Sequence, residues 1–283
     1  MSPFLDVLAS LVVVVLALHA IALVGIVGRE RLAVARANVE RNVRESWGVA
    51  VVLAVVLALN KVVRDVGVEL SWLVGARITG GIYDIEGTFV ASVQSLASAE
   101  LTWFFGGMYV YGYVFLLTFP LVAYVIETNW RPLRELLVAY VVNYGVGLAC
   151  YVAFVAYGPR NFMPELVESL LYVQWPDVQL LTSRVNRNTN VFPSLHASLS
   201  ATVALVAARH RSTYPRWLPV AVVSAASIAA ATLYLGIHWL TDVLAGLALA
   251  YGAVAFAGRY AARDGEVDPD APNGPTTGPS DDD

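Results

Sequence analysis

The chain has 283 residues, of which 58% are hydrophobic and 14% are charged, and its mean hydropathy is +0.63. A soluble domain of this length does not carry so many long uncharged runs, so the composition indicates a polytopic helical membrane protein. Seven of the 22 acidic residues follow residue 263, and the rest of the chain is mildly basic, with no indication of a nucleic-acid partner.

Seven apolar runs predict the membrane spans. The first, residues 4–27, lacks the basic start and the cleavage site of a signal peptide, and is expected to remain as a span. Residues 66–100 are expected to form an external loop with short interfacial helices, and residues 158–191 a second external loop. The remaining spans are residues 47–63, 101–126, 136–157, 194–209, 217–236 and 238–258.

The arginines predict how these spans are oriented. A group of five follows the first span and predicts a cytoplasmic loop, which places the N-terminus outside and the C-terminus in the cytoplasm. With this orientation, the inner segments hold 12 of the 18 basic residues. The outer basic residues oppose the trend, so they invite a functional explanation; among them are Arg160, Arg184 and Arg187.

The predicted fold class is therefore all-α, a polytopic membrane bundle of about seven transmembrane helices. We divide it into an N-terminal span with a basic cytoplasmic loop (residues 1–46), a membrane-embedded core (residues 47–260) and a disordered acidic cytoplasmic tail (residues 261–283). The only cysteine, Cys150, lies in an apolar run, so an internal disulfide and a thiolate metal site are both excluded.

His238 and Asp242 form the first candidate pair. At a spacing of four residues they would share one helix face, so the carboxylate could accept a hydrogen bond from the imidazole and make its other nitrogen more basic. The pair could equally be a polar anchor at a helix end. His19 and His210 have no acidic neighbour at helical spacing, and we expect them to be structural or solvated.

His196 favours the chemical interpretation. One span leads inward from His196 and the next returns outward to His238, so the two histidines should lie at the same membrane face. Proline at residue 193 and a capping Ser194 suit a helix start, whose free N–H groups favour an anion. The outer arginines match phosphate oxygens, so the set indicates phosphoryl transfer.

Three short motifs resemble those of the type 2 phosphatidic acid phosphatase superfamily. Phe-Pro-Ser-Leu-His at residues 192–196 resembles the second motif, and Tyr-Leu-Gly-Ile-His at residues 234–238 followed by Asp242 resembles the third. Tyr-Gly-Pro-Arg at residues 157–160 resembles a degenerate first motif. The resemblance covers about residues 100–258, which leaves the first span outside it.

The resemblance implies a role for each matching residue and requires no cofactor. His238 would be the nucleophile that forms a phosphohistidine, Asp242 would orient it, and His196 would protonate the leaving oxygen. Arg160 and the region of Ser194 would bind phosphate oxygens. The substrate would be a membrane lipid phosphate that reaches an active site on the extracellular face of the cell membrane.

Two departures from the family pattern matter. The common Pro-Ser-Gly-His is here Pro-Ser-Leu-His, and Thr232 stands where the third motif usually has an arginine. Both features resemble the branch that contains inositol phosphorylceramide synthases. Arg184 or Arg187 is expected to replace the missing phosphate ligand, and no residue clearly matches the lysine of the first motif.

Three functions compete at this stage. The leading hypothesis is a lipid phosphate phosphatase that passes phosphate to water, with a phosphotransferase that uses an alcohol acceptor as its alternative. His196, His238 and Asp242 could instead supply three ligands to zinc, although we expect no metal. A non-enzymatic transporter is disfavoured because the polar residues cluster at one face rather than at mid-membrane.

Overall fold

The computed structural model describes residues 3–33, 35–182 and 191–263, and within these ranges the chain is an all-α membrane bundle with one short strand pair. The helices of the first half are α1 (Pro3–Ala22), α2 (Arg29–Ala33), α3 (Ala35–Val74), α4 (Thr79–Glu86), α5 (Phe89–Gln94), α6 (Ala99–Gly107) and α7 (Tyr113–Val125). Those of the second half are α8 (Arg131–Ala153), α9 (Pro159–Phe162), α10 (Leu170–Gln174), α11 (Val178–Thr182), α12 (Leu195–Arg209), α13 (Trp217–Tyr234) and α14 (Leu240–Arg263).

Two π-helical turns lie beside these helices. Leu23–Val27 continues α1, and Met108–Gly112 joins α6 to α7, so α6, the π turn and α7 form one helical rod. Six helical segments of the described residues are long and apolar enough to cross a membrane: Pro3–Val27, Asn38–Val62, Ala99–Val125, Arg131–Ala153, Trp217–Tyr234 and Leu240–Ala262. The span predicted from residue 194 is the shorter apolar helix α12, so the count of seven stays a prediction.

The basic segment after the first span is helical, and its prediction as a loop was wrong. Its arginines lie on α2 and on the first part of α3, which continues for 40 residues through the predicted second span and across the proposed boundary at residues 46–47. Ala, Arg, Glu and Val dominate this stretch and it contains no proline, so the charges interrupt the apolar pattern without ending the helix. At about 1.5 Å per residue, α3 is roughly 60 Å long.

The end of α3 leads into the only strand pair of the described residues. Strand β1 (Ala76–Arg77) pairs in parallel with β2 (Phe154–Val155), which directly follows α8. Helices α4 and α5 are short helices of the kind predicted between residues 66 and 100, but residues 66–74 belong to α3 rather than to a loop. The pairing joins the end of α3 to the stretch that leads into the Tyr-Gly-Pro-Arg motif.

Helix α12 lies at the centre of the bundle, where it packs against α8, α13 and α14. Its apolar side is buried through Leu199, Val203 and Val206. The Nδ2 atom of Asn143, on α8, donates to the Thr202 hydroxyl at 3.0 Å, and Ser198 donates its hydroxyl to the Asn143 Oδ1 atom. Buried Asn143 therefore joins two helices, and these bonds satisfy polar groups that would be costly to bury unpaired.

The other end of α12 carries a charged cluster around buried Glu135. The Nε2 atom of His210 lies 2.9 Å from one Glu135 oxygen, and the Nε atom of Arg209 lies 2.8 Å from the other.

His19, on α1, also has a partner: its Nδ1 atom contacts the carbonyl of Val15 at 2.8 Å. Both histidines thus have structural partners, and that of His210 comes from α8 rather than from its own helix.

Candidate active site

His238 and Asp242 are adjacent, but not on one helix face as the spacing predicted. His238 lies in the turn between α13 and α14, two residues before α14 begins. The Nδ1 atom of His238 is 3.4 Å from the Oδ2 atom of Asp242, and the same oxygen accepts the Trp239 backbone N–H at 2.9 Å. Asp242 therefore caps the start of its own helix and faces His238 at once. Both side chains are buried.

This contact presents one defined nitrogen of His238 for chemistry. A separation of 3.4 Å is long for a hydrogen bond, so Asp242 orients the ring more than it binds it tightly. The Nδ1 atom faces the carboxylate, which leaves Nε2 as the nitrogen not used in this contact. In the described residues the second oxygen of Asp242, Oδ1, is buried without a hydrogen-bond partner.

His196 lies at the second position of α12, opposite His238. The centroids of the two imidazole rings are 6.4 Å apart. The His196 ring also contacts the ring of Tyr109 at 4.5 Å in a stacked arrangement and that of Tyr113 at 4.3 Å. The tyrosines come from the π-helical turn and the start of α7, so the third span holds the His196 ring in place.

Ser194 starts α12 as expected, but its hydroxyl is used in the fold. Its Oγ atom accepts the Ala197 N–H at 3.3 Å, which makes Ser194 the N-cap residue. The preceding proline lies outside the helix rather than in its first turn. The Ser194 side chain is fully buried, so a phosphate at this helix start would be bound by main-chain N–H groups rather than by the hydroxyl.

Main-chain hydrogen bonds join the three motifs. The Ser194 N–H donates to the Asp242 carbonyl at 3.0 Å, and the Arg160 N–H donates to the Gly236 carbonyl at 3.0 Å. Two glycines permit these approaches: a Cβ atom on Gly246 would lie 2.5 Å from the Ser194 carbonyl oxygen, and one on Gly158 would lie 2.2 Å from that of Ile237. The second and third motifs, and the first and third, are therefore connected through backbone.

Arg160 has a guanidinium group with unused donors. Its Nη2 atom donates to the Tyr172 hydroxyl at 3.3 Å, and its Cζ atom lies 4.7 Å from the centre of the Tyr172 ring. Among the described residues, its buried Nη1 atom has no hydrogen-bond partner. A guanidinium held by one aromatic ring, with a donor left over, suits a phosphate oxygen.

The other predicted arginines lie outside the described residues, since Arg184 and Arg187 both fall within residues 183–190. Thr232, where the family usually has arginine, is fully buried, and its hydroxyl donates to the Ala229 carbonyl at 2.7 Å. Thr232 is thus part of the α13 backbone turn and offers no phosphate ligand.

Leu195, where the family commonly has glycine, packs against a glycine of the neighbouring helix. A Cβ atom on Gly147 would lie 2.7 Å from the Cδ2 atom of Leu195. The larger residue on α12 is therefore accommodated by a small one on α8.

No pattern in the sequence indicates the tyrosines around His196 or Glu86. Glu86 ends α4, and its carboxylate accepts the backbone N–H of Leu240 at 2.8 Å and that of Thr241. Glu86 is more than 150 residues from the turn that it contacts, so no local spacing relates the two.

Among the described residues, no group of three or more His, Cys, Asp or Glu side chains is arranged so that it could hold a metal ion. The arrangement brings together a carboxylate-oriented imidazole, a second imidazole, a helix start and a guanidinium group. Such a set can carry out nucleophilic attack, proton transfer and phosphate binding.

Comparison with protein families identifies the class. A model of the PAP2 superfamily matches residues 86–256, which include all three motifs and both histidines. The chain belongs to this superfamily, and its membership supports phosphoester chemistry of the phosphatase type. Searches of curated proteins and of solved structures each returned no match.

Proposed function

We propose that the protein is a membrane enzyme that cleaves a lipid-linked phosphate ester without a metal ion. His238 attacks phosphorus through Nε2, and the bond between phosphorus and the lipid oxygen breaks. His196 gives its proton to that oxygen. The resulting phosphohistidine is then attacked by water, which passes a proton to His196 as inorganic phosphate leaves.

The observation that carries this proposal is the placement of His196 and His238. A nucleophile approaches its target atom to about 3 Å, and a general acid lies within about 3 Å of the atom that it protonates. Rings whose centroids are 6.4 Å apart leave room for one phosphoryl group between them. Arg160 and the N–H groups at the start of α12 would then bind its non-bridging oxygens.

A lipid substrate is supported by where the site lies in the bundle. His238 directly precedes α14, which is long and apolar enough to cross a membrane, and His196 lies at the start of the shorter apolar helix α12. A head group could therefore enter from water at this end of the bundle while its acyl or prenyl chain stays in lipid. The distribution of arginines supports an extracellular position for this end and a cytoplasmic C-terminus.

Transfer to an alcohol is the second candidate function, and a cavity beside the first motif favours it. The cavity has a volume of about 390 Å³, and its lining includes Trp72, Arg77, Tyr157 and Asn161. It borders the turn that carries Arg160, and polar and aromatic side chains of this kind bind hydroxyl-rich groups. Leu195 and Thr232 in the motifs also resemble the inositol phosphorylceramide synthase branch, whose members would use an alcohol acceptor of this kind.

The deciding experiment compares wild-type protein with His238→Ala on lipid monophosphates, diphosphates and phosphodiesters, with and without alcohol acceptors. We expect the wild type to release phosphate or transfer the head group, and His238→Ala to lose at least about a thousandfold in kcat, since the nucleophile is gone. Phosphate release by His238→Ala at the wild-type rate would refute the histidine mechanism.

The competing hypotheses have their own tests. Loss of activity in a strong chelator, restored by zinc, would favour the metal site over the phosphohistidine. A purified wild-type protein that acts on none of these lipids would favour a transporter. The second histidine is tested in parallel, because His196→Ala should impair substrates with poor leaving groups more than activated aryl phosphates.

A further inference from the structure

Glu86 occupies a position that none of the three motifs includes. Its two carboxylate oxygens accept the backbone N–H groups of Leu240 and Thr241, the first two residues of α14. The first N–H groups of a helix have no partner within the helix, and a negative charge there is favoured by the helix dipole. Glu86 thus caps α14 from a different segment of the chain.

The same helix start carries Asp242. Its Oδ2 atom accepts the Trp239 N–H at 2.9 Å while lying 3.4 Å from the Nδ1 atom of His238. Without Glu86, the N–H groups of Leu240 and Thr241 would have no partner, and their partial positive charge would attract the carboxylate of Asp242, which is the next residue of the same helix turn. Turning toward those groups would lengthen a contact with His238 that is already long.

We infer that Glu86 is a positioning residue. Its carboxylate accepts the first N–H groups of α14, so that the carboxylate of Asp242 remains in contact with His238. The inference rests on the proposed function for its catalytic consequence, but the geometry of His238 can be measured without a substrate. Glu86 acts through the helix start and touches neither the phosphate nor the reacting atoms.

Gln94 lies in the same α4–α5 segment as Glu86 and provides a control. Its contacts distinguish an effect on the position of Asp242 from simple attachment of this segment to the bundle. Gln94, at the end of α5, donates from Nε2 to the carbonyls of Tyr234 and Glu168 at 3.0 Å each, and its Oε1 atom accepts the Glu168 N–H at 2.9 Å. Loss of either Glu86 or Gln94 loosens the α4–α5 segment. Only loss of Glu86 frees the N–H groups next to Asp242.

The test compares Glu86→Ala and Glu86→Gln with Gln94→Ala and Asp84→Asn. Asp84 is exposed on the same helix as Glu86 and no hydrogen bond joins its side chain to another described residue, so its variant is the matched charge control. Two measurements are made on each full-length protein. The first is kcat and KM on the best lipid phosphate, and the second is the rate at which diethyl pyrocarbonate modifies His238, followed by peptide mass spectrometry.

We expect Glu86→Ala to lower kcat by about tenfold to a hundredfold with KM within about twofold, because a misplaced catalytic group reduces turnover more than binding. Glu86→Gln keeps one acceptor oxygen and should recover part of this loss. His238 should be modified at least about threefold faster in Glu86→Ala, since it is buried and held in the wild type.

Asp84→Asn should match the wild type in both measurements. The thermal midpoint in detergent, measured in addition as a check on folding, should fall in Gln94→Ala as it does in Glu86→Ala, while Gln94→Ala loses less kcat. Unchanged His238 modification and kcat in Glu86→Ala, or equal losses in Gln94→Ala, would overturn the inference. A wild type without activity on any lipid phosphate would refute the proposed function instead, and the His238 modification rates would still decide the role of Glu86.

Discussion

Arg160 is attached to the third motif, because its backbone N–H donates to the Gly236 carbonyl. Since its Nη1 atom is buried and unpaired among the described residues, we expect the group to bind phosphate more tightly as charge develops. Arg160→Ala should lower kcat/KM by about a hundredfold to a thousandfold, as for removal of one such donor. Steady-state kinetics on a lipid phosphate measure this effect.

Two further variants distinguish phosphate binding from packing at this position. Arg160→Lys keeps the charge but not the planar pair of donors, so it should recover only part of the activity. Tyr172→Phe removes the hydroxyl acceptor and keeps the ring, and should cost less than either Arg160 variant. An Arg160→Ala protein with wild-type kcat/KM would show that this arginine is not a phosphate ligand.

Arg184 and Arg187 remain predicted substitutes for the missing third-motif arginine. Because Thr232 is buried and bonded to its own helix, the phosphate needs a cation from elsewhere. At least one of Arg184→Ala and Arg187→Ala should raise KM or lower kcat by about tenfold or more. If both single variants and the double variant retain wild-type kinetics, neither residue serves this role.

The sequence predicted which candidate catalytic residues come together better than it predicted the residues that hold them. His196, His238 and Asp242 were found because motif spacing and the return of one helix pair bring them to one face. Tyr109, Tyr113 and Glu86 come from segments about 80 to 150 residues away, and their contacts depend on tertiary packing. No local pattern marks a tyrosine that stacks on a distant histidine.

At the level of elements, Gly246 controls how closely α14 approaches the start of α12. A Cβ atom there would lie 2.5 Å from the Ser194 carbonyl and 3.3 Å from the Ser198 nitrogen, both of them backbone atoms. Gly246→Ala should therefore push the helices apart and destabilise the protein by about 1–3 kcal/mol. The thermal midpoint of unfolding in detergent and kcat should both be lower than in the wild type.

Gly252 provides the control on the same helix. A Cβ atom at Gly252 meets nothing within 4 Å, and alanine is favoured over glycine within helices by about 0.5–1 kcal/mol. Gly252→Ala should leave activity unchanged and the thermal midpoint equal or slightly higher. Equal behaviour of the two alanine variants would contradict the close approach at Gly246.

Element boundaries were the weaker part of the sequence interpretation. Charged residues at the ends of apolar runs predict the ends of helices, but α3 passes through them because Arg, Glu and Lys are good helix formers. His238 was placed on a helix face, whereas it precedes α14 and Asp242 reaches back to it. Spacing alone does not distinguish a pair on a helix from a residue that caps its helix start.

At the scale of the whole molecule, the segment before the family match is attached to the rest of the bundle. The Nδ2 atom of Asn42, fully buried on α3, donates to the carbonyls of Val125 at 2.9 Å and Glu127 at 2.6 Å. Arg31 forms an ion pair with Glu127 at 2.6 Å. These contacts satisfy carbonyl groups at the end of α7, so the N-terminal helices are part of one structure with the superfamily core.

The orientation in the membrane can be tested with two serine positions at opposite ends of the bundle. Ser95 follows α5 on the side of the active site, and Ser212 lies in the turn after α12; both are exposed. In a Cys150→Ala background, we expect a membrane-impermeant maleimide to label Ser95→Cys on intact cells and Ser212→Cys only after permeabilisation. The reverse pattern would place the active site in the cytoplasm.

The main-chain bonds between the motifs have a consequence for how this protein can evolve. The bonds from Ser194 to Asp242 and from Arg160 to Gly236 involve only peptide groups, so they survive exchange of neighbouring side chains. Residues such as Leu195 and Thr232 can therefore vary between lineages while the two imidazoles keep their separation. Substitutions at such positions would change the surroundings of the two imidazoles while the main-chain connections between the motifs stay in place.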